Sequence, residues 1–195
     1  MENKTIPLAV PDVGDEEIDE IKKVFDTKFL TEGKTTQEFE EQVASYLGVK
    51  HAIAVTSCTT GLHAVLQGLD IKGQEVLVPD YTYPATAEAV VLAGGIPVLT
   101  DVDINSMNMT SEILEEGYND KMTVFSPVSW AGVPLESDVY KKAKDLNLKC
   151  LEDSACSLGA KIGNEFVGNI ADFSCFSFHP RKVITTGEGG MITTN

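Results

Sequence analysis

The chain of 195 residues is 43% hydrophobic, enough to bury one core of ordinary domain size and too short for two full domains. Its 15 basic and 30 acidic residues leave a formal charge of -15, which repels phosphate backbones and anionic headgroups and so excludes nucleic acid and membrane surfaces as expected partners. An anionic small ligand must then be held locally, by backbone amides, a helix N-terminus or a few placed side chains.

In chain order, Asp15 is placed to cap a helix on which Ile18, Ile21 and Phe25 recur at helical spacing. Thr35 and Glu38 form a capping-box pair before a second helix with Phe39, Val43, Tyr46 and Leu47 on one face, and Gly48 supplies its stop. From there the pattern alternates. Ala52 to Thr56 reads as a strand, Gly61 to Leu69 as a helix, Glu75 to Pro79 as a strand, and Ala85 to Ala93 as a helix ending at Gly94-Gly95. Ile96 to Thr100, Met122 to Pro127 and Leu148 to Glu152 read as strands, with Val139 to Leu146 as a helix before the last of them. Asp172 to Phe178 and Met191 to Thr194 read as two more strands, the second running straight into Asn195. Strand and helix in turn predict right-handed crossovers, a mainly parallel sheet, and a ligand site at the carboxyl ends of the strands. Cys58, Cys150, Cys156 and Cys175 form no C-x-x-C pair or metal-finger spacing, so neither a metal site nor a disulfide framework is expected. Scattered thiols, no signal peptide within Met1 to Pro11 and no membrane-length apolar run predict a cytoplasmic protein.

Three segments carry chemistry. Ser57-Cys58-Thr59-Thr60-Gly61 joins a strand to a helix, and small hydroxyl residues there offer free amides, hydroxyl donors and a positive helix end. The segment reads equally as a phosphate seat or as an ordinary N-cap. Glu152 and Asp153 end an apolar strand; a carboxylate there could keep a heterocyclic nitrogen protonated, although taken alone the pair reads as a solvated helix cap. Lys182 follows Phe176-Ser177-Phe178-His179-Pro180-Arg181 and precedes Gly187-Glu188-Gly189-Gly190, where partial burial and Arg181 would favour a nucleophilic amine. Lysines after strands are common, and spacing alone does not decide their role. No G-x-G-x-x-G follows the first strand and no P-loop occurs, which leaves a plain Rossmann-like domain without support.

These segments, in this order, resemble the DegT/StrS family of sugar-nucleotide aminotransferases, pyridoxal 5'-phosphate (PLP) dependent enzymes of fold type I. The resemblance runs from about Pro7 to the last residue and is most specific over Phe176 to Gly190, with support from Glu38-Phe39-Glu40, Tyr46-Leu47-Gly48 and Pro79-Asp80-Tyr81-Thr82-Tyr83. It implies a three-layer αβα fold with a mainly parallel sheet, incomplete at the C-terminus. Residues 1–195 would be one PLP-binding large domain, with N-terminal helices over 1–50, an α/β core over 51–195 and no C-terminal small domain. It further implies Lys182 as the Schiff-base lysine and Asp153 as the partner of the pyridine nitrogen. Cys58, Thr59, Thr60 and Ser177 become phosphate contacts, Tyr83 the aromatic stacked on the cofactor ring, and Cys156 the residue near its phenolic oxygen.

Three positions depart from the family pattern: Cys58 replaces a Gly, Cys156 a polar residue that is often Gln, and Ser129 a His found in many members. The implied reaction is a ping-pong transamination from glutamate to a nucleotide-linked keto sugar, in a homodimer with a shared active site. Related dehydratases carry His in place of the lysine, so Lys182 argues against that branch. The alternatives are action on a non-sugar ketone, or a catalytically incompetent half-protein. The 195-residue chain alone is expected to bind PLP weakly, self-associate and show little sugar transamination.

Overall fold

One inner strand of the molecule, β2 (Glu75–Pro79), holds Val76, Leu77 and Val78 with no exposed surface. An uninterrupted apolar run of that kind is what a strand covered on both faces requires. The structure is a computed structural model describing residues 5–195; the part of the leaderless reading that falls on residues 1–4 lies outside the described residues. Around β2 the chain sets α1 (Asp15–Thr27), α2 (Lys34–Leu47), β1 (His51–Val55), α3 (Cys58–Gly68), α4 (Ala85–Leu92) and β3 (Ile96–Thr100). There follow α5 (Ser111–Gly117), β4 (Met122–Phe125), α6 (Ser137–Asp145), β5 (Lys149–Asp153), the short hairpin β6 (Lys161–Ile162) and β7 (Glu165–Phe166), β8 (Phe173–Ser177) and β9 (Gly190–Thr194).

Seven strands form one sheet in the order β1-β9-β8-β5-β4-β2-β3. Neighbours from β8 to β3 are parallel, whereas β9 runs antiparallel to both β1 and β8. Alternation along each strand sorts the core into two sides. Val76, Val78, Val124, Leu151, Cys175 and Ile192 meet Leu62, Val65 and Leu66 of α3 and Ala89 and Val90 of α4. Leu77, Phe125 and Cys150 meet Leu114 of α5 and Val139 and Ala143 of α6 on the other side, where Phe176 and Met191 meet Val43 and Leu47 of α2. The result is the expected three-layer α/β arrangement with a mainly parallel sheet.

Several boundaries differ from the sequence reading for local reasons. Gly14, not Asp15, is the cap of α1, and Glu17 accepts from its amide at 2.6 Å. Gly33 caps α2 without any side-chain bond, because the chain is already helical at Lys34; Glu38 therefore pairs with Lys34 at 3.3 Å rather than closing a box with Thr35. Helix α3 starts at Cys58, ahead of Gly61, since Ser57 takes the cap position. The elements α5, β6 and β7 have no counterpart in the sequence reading. No helix among the described residues is long and apolar enough to cross a membrane.

Candidate active site

The turn from β1 into α3 is closed by a reciprocal pair: Thr60 N donates to Ser57 Oγ at 3.1 Å, and Ser57 N donates to Thr60 Oγ1 at 3.0 Å. This box consumes the Thr60 hydroxyl and leaves the amides of Cys58 and Thr59 as free helix-end donors among the described residues. Cys58 stands in the first turn of a right-handed helix, so the Gly it replaces is not demanded by a left-handed backbone. Strand β9 passes directly beneath. A Cβ on Gly190 would lie 2.6 Å from Cys58 N and 2.8 Å from Phe176 O, and the missing side chain is what lets the helix end settle against the sheet.

At the carboxyl end of β5, alternation sends the two carboxylates to opposite faces. Asp153 points to the α3 and α4 side. Its Oδ2 accepts from Thr86 Oγ1 at 2.7 Å, and its Oδ1 accepts from Ala155 N at 3.1 Å and from Cys58 Sγ at 3.6 Å. Only 4% exposed, it is no solvated cap, and burial raises its carboxyl above the usual aspartate range against the pull of those three donors. Burial likewise pushes the Cys58 thiol well up. Glu152 faces the α6 side, where Ser129 Oγ and Tyr140 Oη donate to it, the latter at 3.0 Å, and burial pushes it up to about 7.

Lys182 sits on the loop after β8, half-buried, with Nζ 3.1 Å from Cys156 Sγ. A cavity of about 410 Å³ brings together Cys58, Thr59, Tyr83, Asp153, Ser177 and Lys182, with Ser57, Ala155, His179, Arg181 and Glu188 also on its walls. Thr60 is not on that wall, and Cys156 reaches the site through Lys182. Tyr83 keeps 75% of its surface exposed, so one face of its ring is open to a flat partner. Ser129 lies with Glu152 on the far side of the sheet and does not line the cavity. Larger hollows of about 610 Å³ at the opposite end of the sheet and about 1170 Å³ along α1 contain neither Lys182, Asp153 nor the Ser57–Thr60 turn, although the second is partly walled by Pro180, Thr185, Thr186 and Gly187, so size alone does not select the site.

Thr86 is the residue that sequence reasoning missed. The available signal was a hydroxyl in the first turn of a helix that starts at the carboxyl end of β2, the end at which ligands of parallel sheets bind.

Fold and cavity together define the class: a three-layer α/β protein with the mainly parallel sheet of PLP fold type I, and with a helix N-terminus, a buried carboxylate and a lysine on one cavity. A putative sugar aminotransferase from Streptococcus pneumoniae, solved in its PLP form, superposes with a TM-score of 0.93 at 30% identity, over 98% of this chain and 53% of that one. The chain belongs to the DegT/DnrJ/EryC1/StrS aminotransferase family, whose profile matches residues 11–195. PseC from Helicobacter pylori, an aminotransferase involved in the biosynthesis of pseudoaminic acid, is similar with a TM-score of 0.93 at 33% identity, over 98% of this chain and 53% of that one. GDP-perosamine synthase from Caulobacter vibrioides is 39% identical over 193 residues, 97% of this chain and 52% of that protein. The chain spans about half the length of the curated relatives it matches.

Proposed function

We propose that the chain is the cofactor-binding part of a PLP-dependent aminotransferase that moves an amino group from glutamate to a nucleotide-linked keto sugar in amino-sugar biosynthesis, working as a homodimer. The observation that carries this is the convergence of Lys182, Asp153 and the N-terminus of α3 on one cavity of about 410 Å³, within the ordinary range for small-ligand sites. The donor set suits PLP: an anion seat for a phosphate, a buried carboxylate for a ring nitrogen and an amine for an aldehyde.

When bound, PLP supplies the sink for the electrons of a broken Cα–H bond. The residues around it divide the remaining work. Free amides of Cys58 and Thr59, with the hydroxyls of Ser57, Thr59 and Ser177, would hold the phosphate against the opposing field of an acidic chain. Asp153 would hold negative charge against a protonated ring nitrogen; that cation would offset the burial that now raises its carboxyl. Lys182 would tether the aldehyde and, once its amine is free, serve as the base and acid that moves a proton at Cα of the bound amine. Tyr83 would cover the ring. The names of the perosamine synthase and of PseC support a sugar acceptor, and the nucleotide in the former supports a nucleotide-linked one.

Borohydride reduction of the PLP-loaded protein, followed by peptide mapping, tests this reading. The pyridoxyl label is expected on Lys182 and is expected to vanish in Lys182→Ala with the circular dichroism unchanged. A label on any other lysine would overturn the assignment.

A further inference from the structure

Of the four cysteines, Cys58, Cys150 and Cys175 are buried and Cys156 is exposed. Its sulfur lies 3.1 Å from Lys182 Nζ, and Cys156 is the one hydrogen-bond partner of that amine among the described residues. No ion pair among the described residues includes Lys182. Both backbones are fixed. Ser157 returns its amide to Ser154 O at 3.0 Å and its hydroxyl to the same oxygen at 3.2 Å, closing the turn that carries Cys156. Gly132, at φ +86°, presses on the Cys156 carbonyl so closely that a Cβ there would come within 2.8 Å. On the other side, Lys182 N donates to His179 O at 2.9 Å, and Arg181 N donates to His179 Nδ1 at 3.2 Å.

We infer that Cys156 is an oxidation site whose oxidised sulfur is captured by Lys182, giving a reversible sulfur–nitrogen cross-link when the protein meets hydrogen peroxide. In the first step the Cys156 thiolate attacks one peroxide oxygen; a sulfur–oxygen bond forms, the oxygen–oxygen bond breaks, and hydroxide leaves and is protonated to water. Sulfur loses two electrons and peroxide gains them. In the second step the neutral amine of Lys182 attacks that sulfur; the sulfur–nitrogen bond forms, the sulfur–oxygen bond breaks, and hydroxide departs with a proton from nitrogen as water. Thiol, amine and peroxide thus give one cross-link and two waters. An amine, with every other cysteine buried elsewhere, is the nucleophile within reach of the oxidised sulfur. An added thiol reverses the bond by attacking sulfur and releasing the amine.

The consequence for the cofactor rests on the function proposed above: a lysine tied to sulfur cannot tether an aldehyde, and a lysine tied to the cofactor cannot capture sulfur. The cross-link itself does not rest on it. The test exposes the purified chain to hydrogen peroxide, with and without prior loading with PLP, and reads intact mass and tryptic peptides. Without PLP, a loss of about 2 Da is expected, with one peptide joining Cys156 to Lys182 that separates on adding dithiothreitol. Cys156→Ser is expected to lose the cross-link, and Lys182→Met is expected to gain about 16 Da instead as a dimedone-reactive sulfenic acid. A gain of about 16 Da in the unsubstituted chain with no joined peptide would overturn the proposal, as would a cross-link surviving in Cys156→Ser. Loading with PLP is expected to suppress the cross-link; its persistence on chains whose Lys182 carries the borohydride-fixed label would overturn the exclusion. A pyridoxyl label elsewhere, beside an intact cross-link, would sink the functional reading alone.

Discussion

Asp153 carries the cost of a buried charge and three hydrogen bonds that only partly offset it. Its replacement by Asn keeps shape and polarity while removing the charge that would stabilise a protonated ring. In a full-length form, Asp153→Asn is expected to retain cofactor absorbance and to lower kcat by on the order of 10²–10³, the range for one transition-state electrostatic contact. Near-unchanged turnover in a steady-state assay would defeat the assignment. Glu152 offers a separate test, because its folded value of about 7 lies above the ordinary 4.5. A carboxyl raised on folding contributes stability that is complete below the unfolded value and is lost as pH rises through the folded one. Between about pH 5 and about pH 8 the protein should therefore lose up to about 3 kcal/mol through this group. Urea titrations at both ends should show a smaller loss in Glu152→Gln; equal slopes would show that the group does not titrate in this window.

The closest approach in the site is between elements: β9 under the first turn of α3. Gly190→Ala would drive a methyl into backbone atoms of Ser57, Cys58 and Phe176, which cannot rotate away as a side-chain tip could. Destabilisation of about 1–3 kcal/mol or more is expected, read from denaturant midpoints, together with weaker binding of inorganic phosphate; a midpoint unchanged from the parent would mean that the turn can lift off the sheet. Element by element, legibility followed the apolar pattern rather than burial, since β3 and α1 were read although neither holds a buried residue. Glu75 to Pro79 and Ile96 to Thr100 coincide with β2 and β3, because apolar runs between Gly signals leave little choice. Helix α5 went unread: seven residues bury only Ser111 and Leu114, too few for a period to show. The β6 and β7 pairs are two residues each, below any alternation. Strand direction is likewise absent from periodicity, so nothing local marked β9 as antiparallel. At the site, motif residues from separate segments met because parallel strands deliver their carboxyl ends to one edge. Thr86 was not legible because its bond to Asp153 spans 67 positions and exists only in the fold.

At the scale of the molecule, α1 buries none of its residues, and Ile18, Ile21 and Phe25 are 49%, 54% and 56% exposed. An apolar face of that kind favours association in water. Sedimentation velocity of the 195-residue chain should show self-association that falls in an Ile18→Ser, Phe25→Ser double variant; identical profiles would place the contact elsewhere. The insertion of β9 between β1 and β8 reaches further still. Among the described residues β1 has no other strand neighbour, and its partners run from His51 with Thr194 to Val55 with Gly190. A ribosome therefore delivers the turn from β1 into α3, the proposed phosphate seat, long before the strand that must underlie it. Until residues 190–194 emerge, β1 waits with its ladder groups open, a long loop must close at entropic cost, and the half-made sheet offers an edge to any neighbour. Parallel strands β2, β3, β4 and β5 can assemble without that delay, so the nascent protein should acquire its scaffold first and the turn from β1 into α3 last.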